Sequence, residues 1–191
     1  MNYLAHLYFA DPTPESRVGN LMGDFYRGSV SDTLPAAVRE GILLHRRIDA
    51  FTDQHPVVAG ARQRLQGPRR RFAGIIIDLT FDHFLCRHWP RYHSLSLAAF
   101  LDQTYADLAR YTGPIPARMR EPLRRLYTRR WLAAYAELEG IDTALARTAD
   151  RLSRPTSLAQ GGEEVRRHYR ALEQDFEQFF PALINYVKAS H

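Results

Sequence analysis

The chain has little of what identifies several large classes of protein. Cys86 is the single cysteine among 191 residues, so an intramolecular disulfide is excluded and a reducing compartment is favoured. Apolar runs stay short of the roughly 20 residues that a membrane-spanning helix needs. The first residues, Met1 to His6, lack the basic region and the unbroken apolar stretch of a signal peptide. We therefore expect a cytoplasmic protein with no membrane partner.

Common catalytic signatures are also missing. The sequence contains no GxSxG elbow, Walker A loop, GxGxxG turn or HExxH pair. These absences argue against serine hydrolases, P-loop NTPases and dinucleotide-dependent dehydrogenases. Lysine is nearly absent too, because Lys188 is the single lysine in a chain whose net charge is +5. Arginine favours bidentate contacts with carboxylates and phosphates, although genomic base composition explains the bias equally well.

Periodicity and breakers predict a helical protein. The hydrophobic fraction of 45% and the charged fraction of 25% are ordinary for a globular chain. Apolar residues recur at helical spacing, whereas no alternation typical of strands persists. The pattern predicts helices at about 70–89, 95–111, 117–138, 141–152 and 162–179, and one that ends at His55-Pro56. No linker is long enough to divide the chain, so we predict one all-α domain over residues 1–191.

Two apolar stretches carry potential metal ligands at helical spacing. His45 and Asp49 are four residues apart, as are Asp78 and Asp82, so each pair shares a helix face. Unpaired carboxylates are costly in an apolar environment, and a bound cation offsets that cost. Asp24 and His83 extend the set. Carboxylates suit Mg²⁺ and Mn²⁺, and imidazole also suits Mn²⁺, Fe²⁺ or Zn²⁺. The candidate ligands are Asp24, His45, Asp49, Asp78, Asp82 and His83.

Each of these residues also has a purely structural explanation. His45 could be a hydrogen-bonded core histidine, while Asp49 and Asp82 could pair with neighbouring arginines. Arg46 and Arg47 could hold a phosphate beside a metal, or form ordinary surface ion pairs. The arginine-rich stretches are a solvated helix face or a docking surface for an acidic protein or nucleic acid. These stretches comprise Arg69, Arg70 and Arg71, and then Arg118, Arg120, Arg124, Arg125, Arg129 and Arg130.

Several long motifs resemble one known family. They are Met1-Asn2-Tyr3-Leu4-Ala5-His6-Leu7, Gly19-Asn20-Leu21-Met22-Gly23-Asp24-Phe25, His45-Arg46-Arg47-Ile48-Asp49, Asp82-His83-Phe84-Leu85 and Arg87-His88-Trp89. In these stretches the chain is similar to the acyl carrier protein phosphodiesterases, a divergent branch of the HD-domain phosphohydrolases. The chain has no His-Asp dipeptide, and its nearest pair is the reversed Asp82-His83. Ligand positions of the wider superfamily are therefore not carried over.

The resemblance implies an enzyme that uses Mn²⁺, or Mg²⁺ or another divalent cation. Such an enzyme removes the 4′-phosphopantetheine arm from holo-acyl carrier protein, a small acidic protein substrate. On this reading Asp24, Asp82 and His83 are catalytic, and Arg27, Arg46 and Arg47 bind the substrate phosphate. We expect no nucleic-acid partner, and the oligomeric state stays open. The alternatives are a metal-dependent phosphohydrolase for a nucleotide or other small phosphate ester, and a non-catalytic helical module that binds an acidic partner.

Overall fold

The computed structural model describes residues 1–152 and 156–190, and these residues contain helices and no strand. The all-α prediction is therefore confirmed for this part of the chain. The helices are α1 (Tyr3–Phe9), α2 (Pro14–Met22), α3 (Ala36–Gln54), α4 (Pro56–Arg64), α5 (Ala73–Arg87), α6 (Leu97–Arg110), α7 (Ala117–Arg129), α8 (Leu138–Ala149), α9 (Gly161–Arg167) and α10 (Tyr169–Ala189). Within the described residues, none of the helices has the length and apolar character needed to cross a bilayer.

Local chemistry explains where several helices begin and end. The Thr13 side chain accepts a hydrogen bond from the backbone N–H of Ser16 at 3.2 Å, and Pro14 occupies the first turn of α2. Ser96 caps α6 in the same way, through the N–H of Ala99 at 3.2 Å. Helix α3 ends just before His55-Pro56, as the sequence predicts, because a residue that precedes proline disfavours helical geometry.

Several predicted helix boundaries differ from the structure, and the stretch predicted as one helix over 162–179 forms α9 and the first half of α10. The helix predicted over 117–138 ends at Arg129, because Arg130 adopts the left-handed conformation with φ 51°. The Arg130 guanidinium lies 4.7 Å from the Tyr105 ring centroid and bonds to Asp102, and these contacts stabilise the turn. Helix α10 continues through Pro181 instead of stopping near it. Buried apolar residues on both sides of Pro181, Phe180 before it and Leu183 after it, offset the backbone hydrogen bond that proline removes.

The chain divides into two compact units. Unit I comprises Met1–Asn2, Ala50–His88 and Ala134–His191. Its core is aromatic: the Phe81 and Phe176 ring centroids lie 5.7 Å apart, and those of Phe176 and Phe180 lie 5.1 Å apart. Such ring pairs add to the free energy gained from burying apolar area. The predicted single domain stays a prediction.

Unit II comprises Tyr3–Asp49 and Trp89–Ala133. Its core is formed largely by aliphatic side chains from α1, α2 and α3, among them Leu4, Val18 and Ile42, which are fully buried. Gly41 allows α3 to approach α2 closely, because a Cβ at this position would lie 2.7 Å from the Ser16 carbonyl oxygen. This close approach brings the turn that follows α2 against the middle of α3.

Candidate metal centre

Two histidines and an aspartate converge in unit II. His6 comes from α1, while His45 and Asp49 lie one turn apart on α3. The Nε2 atoms of His6 and His45 lie 3.2 Å and 3.0 Å from oxygens of Asp49. One potential ligand atom from each residue falls within 4.8 Å of the other two. The i, i+4 spacing on α3 therefore places His45 beside Asp49, and the packing of α1 in unit II brings His6 to this pair.

A hydrogen bond at the second ring nitrogen, Nδ1, fixes the orientation of the His6 side chain. Its Nδ1 lies 3.1 Å from the side-chain oxygen of Asn20, which can only accept a hydrogen bond. In neutral imidazole the lone pair is then on Nε2, facing the Asp49 carboxylate. The ring stacks on His45 with centroids 4.0 Å apart and an interplanar angle of 17°. A hydrogen-bonded outer nitrogen and an inner lone pair are typical of a metal-binding histidine.

Asp24 adds a second carboxylate. It lies in the short 3-10 turn Gly23–Phe25 after α2, and its Oδ1 is 3.5 Å from His45 Nε2. Gly23 makes this approach possible, since a Cβ there would overlap the His45 ring. The Asp24 and Asp49 side chains are 46% and 41% exposed, whereas those of His6 and His45 are 2% and 5% exposed. The cluster therefore opens to solvent through its carboxylates.

The charges of the cluster are strongly coupled. Burial lowers the pKa of His45, but hydrogen bonds to Asp24 and Asp49 outweigh it and raise that pKa to about 9. Burial raises the pKa of the Asp49 carboxyl, yet hydrogen bonds from the protonated forms of His45 and His6 hold that pKa well below its usual value. Burial also lowers the pKa of His6, and the hydrogen bond that the protonated ring donates to Asp49 opposes part of that shift. His45 thus carries a proton where a cation would otherwise balance the carboxylates.

The cluster fits a divalent cation. The two imidazoles and the Asp49 carboxylate form a mixed donor set that suits Mn²⁺, Fe²⁺ or Zn²⁺, and Asp24 lies 3.5 Å from His45 beside them. Neighbouring ligand atoms around an octahedral ion bound at about 2.1 Å are about 3 Å apart. The separations of 3.0 Å, 3.2 Å and 3.5 Å between the facing side-chain atoms are close to that value. In addition, a cation would accept the lone pair that neutral His6 directs toward Asp49.

The other predicted ligands belong to unit I. The Met1 ammonium donates to Asp78 Oδ1 at 3.1 Å. Asp82 is fully buried, and its charge adds to burial in raising the pKa of the Cys86 thiol. His83 Nδ1 lies 2.8 Å from the backbone carbonyl of Tyr135 and must therefore donate. The roles predicted for Asp78, Asp82 and His83 stay predictions.

His83 has a defined tautomer. Because Nδ1 donates to a carbonyl, the Nε2 atom of the neutral ring accepts from the Tyr169 hydroxyl at 2.8 Å. Burial lowers the pKa of His83, which favours this neutral form, although the bond to the Tyr135 carbonyl opposes it.

The predicted phosphate-binding arginines share unit II with the cluster. Arg27 is exposed, and Arg46 donates to the Tyr26 carbonyl at 2.9 Å. Arg47 is half-buried, and its Nε has no hydrogen-bond partner. Arg46 and Arg47 lie on α3 with His45 and Asp49, and Arg27 lies in the loop that follows the turn carrying Asp24.

His6 and Asn20 were not recognised as site residues from the sequence. His6 is 39 positions from His45, and no spacing rule connects two helices that are so far apart in the chain. A signal was nevertheless present, because His6 interrupts the apolar stretch Tyr3–Phe9 and lies in the first motif shared with a known family. A buried histidine requires a partner.

The chain is similar to known proteins over nearly its whole length. The family model "Acyl carrier protein phosphodiesterase" matches residues 1–183. The relative named acyl carrier protein phosphodiesterase from Serratia proteamaculans is 39% identical over 189 residues, which cover 98% of each chain. Relatives with the same name from an Enterobacter species and from Yersinia enterocolitica are each 36% identical, over 98% and 97% of this chain and 98% and 96% of their own. No solved structure matches the chain. The chain belongs to the acyl carrier protein phosphodiesterase family.

Proposed function

We propose that this protein is a phosphodiesterase that removes the 4′-phosphopantetheine arm from holo-acyl carrier protein and leaves the apo-carrier. The observation that carries the proposal is the family match over residues 1–183, together with relatives of the same name that align over nearly their whole length. The His/Asp cluster supports it, because such donor sets are used for metal-assisted hydrolysis. The proposed location is the cytoplasm, because a reducing compartment suits a chain whose single cysteine, Cys86, is in no disulfide.

The proposed cofactor is Mn²⁺, with Mg²⁺ or another divalent cation as a possible substitute. His6, His45 and Asp49 would hold it, and Asp24 would complete the set. A bound divalent cation supplies a Lewis acid and lowers the pKa of water. Asn20 contributes indirectly, because its hydrogen bond to His6 Nδ1 keeps the ring turned toward Asp49.

The reaction requires a water, a proton acceptor and a proton donor. A water oxygen attacks phosphorus, the bond from phosphorus to the serine oxygen of the carrier breaks, and that oxygen takes up a proton. Asp24 is half exposed and we assign it the proton of the attacking water. Asp82 and His83 stay candidate donors on the basis of the sequence. Arg27, Arg46 and Arg47 neutralise the phosphate oxygens through their guanidinium groups.

The solvent face of α7 is the proposed docking surface for the acidic carrier. This helix contains five arginines and one acidic residue, Glu121, while its apolar residues Met119, Leu123 and Leu126 are buried. Arg118 bonds to the backbone carbonyl of Phe25, the residue after Asp24, so one end of the face lies beside the cluster. Arg124 and Arg125 bond to Glu121, but exposed ion pairs of this kind are weak and exchange readily.

We expect charge removal on this face to weaken carrier binding. The double variant Arg125→Ala with Arg129→Ala should raise KM for holo-carrier about tenfold at low salt. The reason is that a cluster of positive charges on the surface attracts and orients an acidic partner. The difference from wild type should shrink as salt rises, since screening removes steering. The control is Arg147→Ala with Arg151→Ala, two exposed arginines from around the end of α8. Equal KM values for the two double variants at low salt would contradict the docking surface.

Intact mass measures the proposed activity directly. Purified protein, Mn²⁺ and holo-carrier should yield apo-carrier, with free 4′-phosphopantetheine as the second product. Removal of the metal with a chelator should stop the reaction, and re-addition of Mn²⁺ should restore it. A folded, Mn²⁺-loaded sample that leaves the carrier mass unchanged would overturn the proposal. In that case, hydrolysis of nucleotides or simple phosphodiesters would support the alternative of a small-ester phosphohydrolase.

A further inference from the structure

An apolar groove of about 450 Å³ adjoins the cluster in unit II. One wall comes from the end of α2 and the segment after it, with Met22, Phe25 and Leu34. The opposite wall comes from the segment before α7, with Pro114 and Ile115 among its lining residues. Its volume falls within the range of small-molecule sites, about 300 to 1,000 Å³. The arginine-rich face of α7 and the proposed hydrolysis at the His/Asp cluster do not account for this groove.

The groove begins one residue from the cluster. Asp24 faces His45 at 3.5 Å, and the next residue, Phe25, already lines the groove. Arg27 also lines it and brings a positive charge to the same wall. A phosphate held by Arg27 near Asp24 would therefore direct one of its ester substituents along the groove.

The wall after α2 is held in place by hydrogen bonds from outside the groove. Arg46 on α3 donates to the Tyr26 carbonyl at 2.9 Å, and Arg118 on α7 donates through Nε to the Phe25 carbonyl at 3.1 Å. The Ser31 N–H donates to the Tyr26 hydroxyl at 3.2 Å. The groove is therefore preformed, so a ligand does not have to order this loop on binding.

We propose that this groove binds the pantetheine arm of the carrier substrate, which extends from the phosphate that is cleaved. The inference rests on the proposed function, and it adds the subsite that holds the departing group. The arm is a flexible, uncharged chain with methyl and methylene groups between amides. The apolar walls match its carbon atoms, and the groove also contains Ser29 as a neutral polar side chain. Among the lining residues that the structure describes, Arg27 is the single charged one, so the groove offers few partners for the polar edges of a nucleotide base.

Binding of the arm would also assist catalysis. Contacts to a part of the substrate remote from phosphorus can hold the phosphate in position for attack. Ser29 is exposed and lies in the lining, so a large side chain there fills the groove without touching Asp24, His45 or Asp49. This makes position 29 a suitable place for a blocking substitution.

The test is Ser29→Trp, with Ser94→Trp as its control, because both serines are exposed and lie outside the α-helices of unit II. Ligand-observed NMR with free pantetheine as the probe measures binding without hydrolysis. We expect wild type and Ser94→Trp to bind pantetheine, and Ser29→Trp to bind about tenfold more weakly. KM for holo-carrier should rise by a similar factor in Ser29→Trp alone.

Two outcomes would overturn the inference. The first is unchanged pantetheine binding and unchanged KM in Ser29→Trp. The second is an equal loss of affinity for apo-carrier, which has no arm, because the groove would then bind the carrier polypeptide. Failure of the proposed function has a different signature, namely pantetheine binding by wild type without cleavage of holo-carrier.

Discussion

Replacing Asp49 by asparagine is expected to abolish carrier cleavage and retention of Mn²⁺ together. Asp49 is the carboxylate on which both imidazoles converge, at 3.0 Å from His45 and 3.2 Å from His6. The amide keeps the size of the side chain but removes the negative charge that attracts a cation. We expect kcat/KM to fall on the order of a thousandfold or more, because hydrolysis then loses metal assistance. Intact mass of the carrier measures the first effect, and metal content after gel filtration measures the second.

The matched control is Asp53→Asn. Asp53 lies one turn further along α3, and its 66% exposed side chain pairs with Arg62 on the surface. This variant should keep full activity and metal content. His6→Gln tests the ligand that sequence reasoning missed, and it should also lose metal while circular dichroism shows unchanged helix content. Wild-type metal content in both Asp49→Asn and His6→Gln would show that the cation binds elsewhere, and Asp82→Asn would be the next variant to measure.

Replacing Arg17 by methionine is expected to give the largest loss of stability from a single substitution in unit II. Arg17 Nη1 lies 2.8 Å from Asp107 Oδ2, and the two side chains are 2% and 6% exposed. The guanidinium also lies 5.5 Å from the centroid of the Phe100 ring. Removal of Arg17 leaves the Asp107 carboxylate buried without its buried ion-pair partner. The free energy of unfolding should therefore fall by about 3 to 5 kcal/mol. Urea denaturation followed by circular dichroism measures the change.

A double variant separates the cost of the orphaned charge from the loss of packing. Arg17→Met with Asp107→Leu replaces both partners by apolar side chains, and it should recover most of the lost stability. Arg110 is the control, because it bonds to the same carboxylate from a side chain that is 69% exposed. Arg110→Ala should cost less than about 1 kcal/mol. If Arg17→Met and Arg110→Ala unfold at the same urea concentration, the buried pair is not a major source of stability.

Prediction from sequence succeeded where the relevant interaction is local. The helical class followed from periodicity, and the His45–Asp49 pair followed from i, i+4 spacing on a single helix. Proline and serine chemistry anticipated the end of α3 before Pro56 and agrees with the cap at Ser96. Predicted helix boundaries were wrong where contacts with other helices determine the end of a helix. Arg130 ends α7 in a left-handed conformation because Tyr105 and Asp102 hold its guanidinium, and neither contact is visible in the local sequence.

The candidate site shows the same division. Asp78 and Asp82 have the same spacing as His45 and Asp49, so the sequence predicts metal ligands at both pairs. In the structure the pairs have different environments, because Asp78 binds the Met1 ammonium while Asp49 receives two imidazoles. Spacing determines which side chains share a face of one helix, but not what another helix brings to that face.

The amino-acid sequence by itself determined the helical class, the family and the one-turn spacing of His45 and Asp49, because these depend on short-range periodicity and on motifs within continuous segments. Only the tertiary structure decided that His6 joins this pair, that Gly23 admits Asp24 to it, and that an apolar groove lies beside it. The physical reason is that these three features depend on which helix faces pack together. That choice is made by burial of apolar area summed over the whole core, which no local segment encodes.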